Sequence, residues 1–255
     1  MNVGASSGGK QITEELFASY KENGIECMEL AVLDADAVPE DFGKIKEWAD
    51  KYDVKLWSCH LPFLPFSDID LSAVEEKKRK HTVECLKNII AKAAEVGIDK
   101  AVVHASAEPI ADEERPLRMN AAKKSLCELA EFAKTKNITI AVEDLPRTCL
   151  GKNSAEIAEL ISVHDNLKVC FDTNHLLSEP TIDFIEKIGR DIITLHVSDY
   201  DFEDERHWLP GEGKINWREL IAGLKKCGYG GVWMYELDLG KYMPKLRENA
   251  EKLLG

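Results

Sequence analysis

The sequence predicts a single (β/α)8 TIM barrel spanning residues 1–255. Three observations carry this. Eight apolar runs of strand length are each followed by a segment of helical period, with no linker, fixed repeat or low-complexity stretch between them. The runs do not alternate apolar with polar, the pattern of parallel strands covered on both faces. Ionisable residues recur at the C-terminal ends of the runs, where a closed barrel gathers its chemistry on one face. An open doubly wound sheet is the structural alternative, but the first turn, Gly4-Ala5-Ser6-Ser7-Gly8-Gly9, is no dinucleotide fingerprint.

Taken in order, Asn2 to Ser6 reads as the first strand. Ile12, Leu16, Phe17 and Tyr20 then fall at helical spacing up to the stop at Asn23-Gly24. Ile25 to Val32 is the second strand, with Glu29 inside it, an acid that could orient a group at the strand ends or pair with a lysine or arginine, and Pro39 opens a helix running to about Tyr52. Val54 to Cys59 is the third strand, followed at once by His60. A long helix is predicted from about Leu71 to Val96, ending at Gly97. Lys100 to Val103 leads to His104, and Ile138 to Val142 leads to Glu143, with a helix over about Arg115 to Lys136 between them. After a helix from Ser154 to Val163, the run Leu167 to Phe171 ends in Asp172. A short helix, Ile182 to Ile188, precedes Ile192 to Leu195, which ends in His196. A long loop to Gly213, a helix from Trp217 to Cys227, a strand from Gly231 to Tyr235 ending in Glu236, and a helix from Leu246 to Leu254 complete the chain.

Composition narrows the function. Hydrophobic residues at 44% and charged residues at 31% match a globular protein. No apolar run approaches the roughly 18 residues that mark a bilayer span, and the first residues show no basic region followed by a long apolar stretch, so neither membrane partner nor leader is expected. Seven scattered cysteines without a C-x-x-C pair suit free thiols in a reducing, cytoplasmic setting. A formal net charge of −13 repels phosphate backbones and argues against nucleic acid as a partner.

Glu143, Asp172, His196 and Glu236 form the tightest predicted set. Three carboxylates and one imidazole at one mouth repel one another unless a cation joins them, so one divalent ion is expected. Oxygen donors with one nitrogen suit Mn²⁺ first, with Mg²⁺, Co²⁺ or Zn²⁺ as alternatives. Four protein ligands leave two positions, which the adjacent oxygens of a hydroxy-ketone would fill. An ion there acts as a Lewis acid toward an enediolate, with Glu143 and Glu236 as proton-transfer groups. His60 and His104, at two other strand ends, are expected to face the substrate. Plainer explanations exist: Asp172 could cap its own turn, Asp199 could hold His196 as a neutral core histidine, and one acid of Glu143-Asp144 could be solvated. Phe63, Phe66, Trp57 and Trp208 could wall a sugar pocket or simply pack. Arg147 could meet an anionic group or lie on the surface.

The set V-E-D (142–144), F-D-T-N-H (171–175), L-H-V-S-D (195–199), H-W-L-P-G-E-G-K-I-N-W (207–217) and Y-E-L (235–237) resembles the xylose isomerase-like TIM barrels. It is most similar to the sugar phosphate isomerase/epimerase group, which includes ketose 3-epimerases, hydroxypyruvate isomerases and inosose dehydratases. The resemblance covers essentially the whole chain. It implies Glu143, Asp172, His196 and Glu236 as metal ligands, the two glutamates as the proton-exchanging pair, and His175, Arg206 and His207 as contacts to substrate oxygens. It implies a small carbohydrate as substrate, and such barrels often pair, so a homo-oligomer is an expectation. An inosose-type dehydratase on the same metal site is one alternative. The endonuclease-IV-type zinc phosphodiesterases are another. Their nine ligands can be matched here as His60, His104, Glu143, Asp172, His175, His196, Glu205, His207 and Glu236, with Glu205 where that group has Asp. The acidic balance and the absence of basic, aromatic reading loops weigh against the nuclease.

Overall fold

A computed structural model describes all residues, 1–255. Eight strands, β1 (Val3–Ser6), β2 (Cys27–Ala31), β3 (Lys55–His60), β4 (Lys100–Val103), β5 (Thr139–Glu143), β6 (Leu167–Asp172), β7 (Ile192–His196) and β8 (Trp233–Tyr235), lie side by side. The order is β7-β6-β5-β4-β3-β2-β1-β8, parallel at every pairing. The seam between β7 and β8 is closed by a parallel bridge, Val197 to Tyr235, in which Val197 N donates to Met234 O at 2.8 Å and Glu236 N donates to Val197 O at 3.2 Å. The chain is a single (β/α)8 TIM barrel.

Helices α1 (Glu14–Glu22), α2 (Phe42–Tyr52), α3 (Glu76–Glu95), α4 (Arg115–Thr135), α5 (Ser154–Ile161), α6 (Thr181–Ile188) and α7 (Trp217–Cys227) fill the crossovers, and α8 (Leu239–Tyr242) and α9 (Leu246–Leu254) close the chain. Their starts are chemical. Thr13, Asp41, Asn153 and Asn216 each accept a backbone N–H from the first turn of the helix they precede. Gly228, at φ 87°, ends α7 in the left-handed conformation that a side chain would resist. The outward faces of the strands pack on the helices. The inward faces form a thin interior in which Cys27 packs with Val232 and Met234, and Val102 with Ala141 and Cys170.

Side chains two positions apart share a strand face. The inward Val102, Ala141, Cys170 and Met234 therefore stand one layer below His104, Glu143, Asp172 and Glu236, and this stacking brings the strand-end residues together at the mouth.

Some expected boundaries move. The predicted helix from Leu71 begins instead at Glu76. Residues 69–73 form a buried loop around Asp70, whose Oδ1 accepts from Ser72 N and Oγ and from Ala107 N, while Arg118 pairs with Oδ2. A buried carboxylate drawing backbone N–H groups into a turn competes with helix. The second helix starts at Phe42 rather than Pro39, after a 3₁₀ turn over Ala35–Ala37, because Asp41 supplies the cap. The eighth strand is shorter than expected, and the single-turn α8 has no sequence period long enough to be seen.

Candidate active site

Glu143, Asp172 and His196 end β5, β6 and β7, and Glu236 follows β8. His196 Nδ1 lies 3.0 Å from Glu143 Oε1, 3.3 Å from Glu236 Oε2 and 3.8 Å from Asp172 Oδ2. Glu143 Oε2 lies 3.1 Å from His60 Nε2 and 3.2 Å from His104 Nε2. His60 Nδ1 is 2.9 Å from the Leu61 carbonyl, which fixes its ring. His175 is held by the Asp144 carbonyl at 2.8 Å, and its Nε2 is 3.5 Å from Glu205. The long loop after β7 brings in His207, whose Nδ1 is 3.1 Å from the Glu236 carbonyl. The structure thus brings His60, His104, His175 and His207 to the same mouth as the four-residue set.

A cavity of about 460 Å³ opens over these groups. Glu143 and Glu236 line it with His60, His104, His175 and His207, while Asp172 and His196 lie beneath. Phe63 and Phe66 form an apolar wall, with Phe63 stacked on His104 at 4.2 Å between ring centres. Trp57 is not at the mouth. Its Nε1 donates to Thr194 Oγ1 at 3.1 Å, and Lys100 lies over its ring. Trp208 lies outside the cavity lining as well, in a bridge with Asp199.

Arg206, expected at the substrate, is turned from the cavity: its Nε pairs with Asp201 at 2.8 Å, and only its backbone N–H reaches inward, to Asn174 Oδ1 at 3.0 Å. Arg147 does line the cavity, but Glu108, Asp204 and Glu205 already hold its guanidinium.

The charges of the cluster are mutually determined. Burial pushes the Asp172 carboxyl well above its ordinary range, and repulsion from Glu236 and Glu143 adds to this. Burial also opposes ionisation of Glu143, but His196 and His104 outweigh it and hold Glu143 well below the ordinary range. For Glu236, too, burial is outweighed, mainly by His196, and the carboxyl is lowered. His196 is raised despite its burial because Cys170 and the acids Glu236, Glu29 and Glu143 surround it, whereas burial lowers His104.

The residues fit a metal ion. Ligand atoms of Glu143, Asp172, His196 and Glu236 all lie within 4.8 Å of one another, and Asp172 Oδ2 is buried without a hydrogen-bond partner. An orphan carboxylate oxygen facing other acids is a strong call for a cation. Two further donor sets share the mouth at the same spacing, His60-His104-Glu143 and His175-Glu205-His207.

Three residues near the site resolve alternatives that the sequence left open. Glu29, fully buried, reaches His196 Nε2 at 2.9 Å and accepts from Ser58 Oγ at 2.8 Å. Its mid-strand acid was the available signal. Asp144 is not solvated: it is fully buried, its Oδ1 accepts from Asp172 N at 2.7 Å, and burial raises its pKa well above the ordinary range. His196 is not held by Asp199, which binds the loop that follows it.

The fold and this mouth define a parallel barrel with a buried acid–imidazole donor cluster. The chain belongs to the xylose isomerase-like TIM barrel family, whose sequence profile matches residues 17–253. An uncharacterized protein of Methanocaldococcus jannaschii is 32% identical over 209 residues, 76% of this chain and 68% of that protein. A solved D-tagatose 3-epimerase-like protein superposes with a TM-score of 0.88 at 28% identity, over 100% of this chain and 97% of its own. Fructoselysine 3-epimerase of Escherichia coli O157:H7 is 27% identical over 139 residues, about half of each chain (51% and 50%). Probable endonuclease 4 of Carboxydothermus hydrogenoformans is 27% identical over an alignment of 289 positions covering 99% of both proteins.

Proposed function

We propose that the chain is a divalent-metal-dependent isomerase or epimerase of a small keto-sugar, working through an enediolate. The observation that carries this reading is the division of the four-residue set: Glu143 and Glu236 face the cavity while Asp172 and His196 lie below it. The first pair is placed to exchange a proton with a bound carbon skeleton, and the second to hold an ion. The similarity to 3-epimerases in sequence and fold supports the same chemistry.

When bound by Glu143, Asp172, His196 and Glu236, the ion would supply Lewis-acid polarisation of a substrate carbonyl and keep the carboxylates ionised. The chain's own groups do the rest. Glu236, whose side chain is 15% exposed, has room to take a proton from a substrate carbon. Glu143, held by His60, His104 and His196, is the counterpart on the buried side. His175 and His207, each held through Nδ1, keep Nε2 for substrate oxygens, and His104 lines the cavity beside them, whereas both ring nitrogens of His60 are engaged, by the Leu61 carbonyl and Glu143. Phe63 and Phe66 exclude water from one wall. A cytoplasmic location and pairing of two copies belong to this reading too, the first on the seven free cysteines and the second on the resemblance.

A zinc phosphodiesterase is the second reading, favoured by the two additional donor sets and by the endonuclease 4 relative. The net charge of −13 and the neutralised Arg147 weigh against it. An inosose-type dehydratase would share the cavity and differ only in product.

Elemental analysis together with solvent-deuterium incorporation into a panel of ketoses in Mn²⁺ tests the proposal. Deuterium at C1 or C3 with one ion per chain is expected. Two or three zinc ions per chain without exchange would transfer the assignment to phosphodiester hydrolysis.

A further inference from the structure

We infer that Glu29 is a positioning residue for His196, fixing Nδ1 as the nitrogen that faces the acid cluster and therefore the one that binds the ion. The inference rests on the reading of Glu143, Asp172, His196 and Glu236 as a metal-binding set.

Glu29 lies in β2 two positions after the inward Cys27 and so shares its face, pointing into the barrel beneath the mouth, and a register shift in the pairing with β3 sets it opposite Ser58. It is fully buried, and no lysine or arginine pairs with it. Its Oε1 lies 2.9 Å from His196 Nε2, and its Oε2 accepts from Ser58 Oγ at 2.8 Å. Both oxygens are therefore occupied, and the carboxylate cannot swing away from the imidazole. In the neutral ring, the form that can bind an ion, Nε2–H donating to Glu29 leaves Nδ1 with a free lone pair. That lone pair points where Glu143, Glu236 and Asp172 gather, at 3.0, 3.3 and 3.8 Å. A carboxylate behind an imidazole also makes the opposite nitrogen a stronger donor, the usual support for a metal-bound histidine. Burying an acid without a cationic partner is otherwise costly, so its position directly beneath His196 explains its presence.

Zn²⁺ binding by calorimetry, with ¹⁵N NMR of the His196 ring in the Zn²⁺-loaded protein, tests this. Glu29→Gln keeps the shape and removes the charge, and should weaken Zn²⁺ binding about 10- to 100-fold. Ser58→Ala, which frees one oxygen of Glu29, should weaken it less in the same direction. The ¹⁵N spectrum of the unsubstituted protein should show Nδ1 bound to the ion and Nε2 protonated. Zn²⁺ binding by Glu29→Gln within twofold of the unsubstituted protein, or Nε2 as the metal-bound nitrogen, would overturn the inference. Should Glu29→Gln fail to fold, Ser58→Ala and the spectrum of the unsubstituted chain decide it. An unsubstituted chain that takes up neither Zn²⁺ nor Mn²⁺ overturns the metal reading and this inference with it. Normal uptake with indifferent variants removes this inference alone.

Discussion

Glu143 and Glu236 carry the same carboxylate but are held differently. Glu143 is wedged among four imidazoles, those of His60, His104, His175 and His196, whereas Glu236 meets His196 at 3.3 Å and keeps a partly open side chain. Glu236→Gln should therefore lower turnover by about 10²- to 10⁴-fold while part of the metal content survives, measured by steady-state rates beside elemental analysis. Asp172→Asn should act mainly on ion affinity, because its orphan oxygen lies below the cavity and out of reach of substrate; a chelator titration reads this directly. At this scale the mouth was legible because strand ends in a closed barrel converge whatever the loops do. Glu29 was legible as a mid-strand acid that could serve the mouth, but its partner was not, because His196 lies far along the chain and no local pattern encodes that contact. Arg206 misled for a related reason: its neighbour His207 does reach the mouth, but Asp201 captures the guanidinium.

The segment from β7 to α7 is organised by Asp199. Its carboxylate accepts from Tyr200 N, Gly211 N, Ile215 N and Trp217 Nε1, at 2.7 to 3.2 Å, in a fully buried position. This fixes the loop that delivers Glu205 and His207. Asp199→Ala should destabilise the fold by on the order of 3 kcal/mol, since it strands buried donors, and should loosen substrate binding; thermal melts and KM would record both. Gly213→Ala should do the same by a different route, because a Cβ there would run into the Asp199 carboxylate and the Tyr200 carbonyl. The helices of the chain were readable from their period and from stops such as Asn23-Gly24 and Gly97, while the Asp41 cap that sets the start of α2 was not read. The loops were less so: Asp70 and Asp199 each bind backbone groups distant in sequence, and such bonds leave no periodic trace.

For the molecule as a whole, the acid cluster ties stability to pH and, on the proposed function, to metal. Asp172 is held above its ordinary range in the metal-free fold, chiefly by burial. A carboxyl so raised contributes stability that is present below the unfolded carboxyl's range and lost as pH rises through the folded value. A bound ion reverses this, since it requires the ionised form, and its affinity rises with pH. Mn²⁺ at about a hundredfold excess over its Kd should add about 2.7 kcal/mol, or roughly 5–10 °C in Tm for a chain of this size. At one fixed Mn²⁺ concentration the gain should be larger at pH 8 than at pH 6. Equal gains by scanning fluorimetry would count against a ligand set that must lose protons.

The β7–β8 seam gives the barrel a weak side. One bridge replaces a full ladder there, and one of its two donors is the backbone N–H of Glu236 itself. In a native-state hydrogen-exchange experiment the amides of Val197 and Glu236 should open ahead of those within the β5–β6 ladder. Any such opening carries Glu236 with it. The same staves that hold the acid in register with His196 are thus the ones most free to part, so local breathing of the wall and the geometry of the proposed proton-exchanging pair share one degree of freedom.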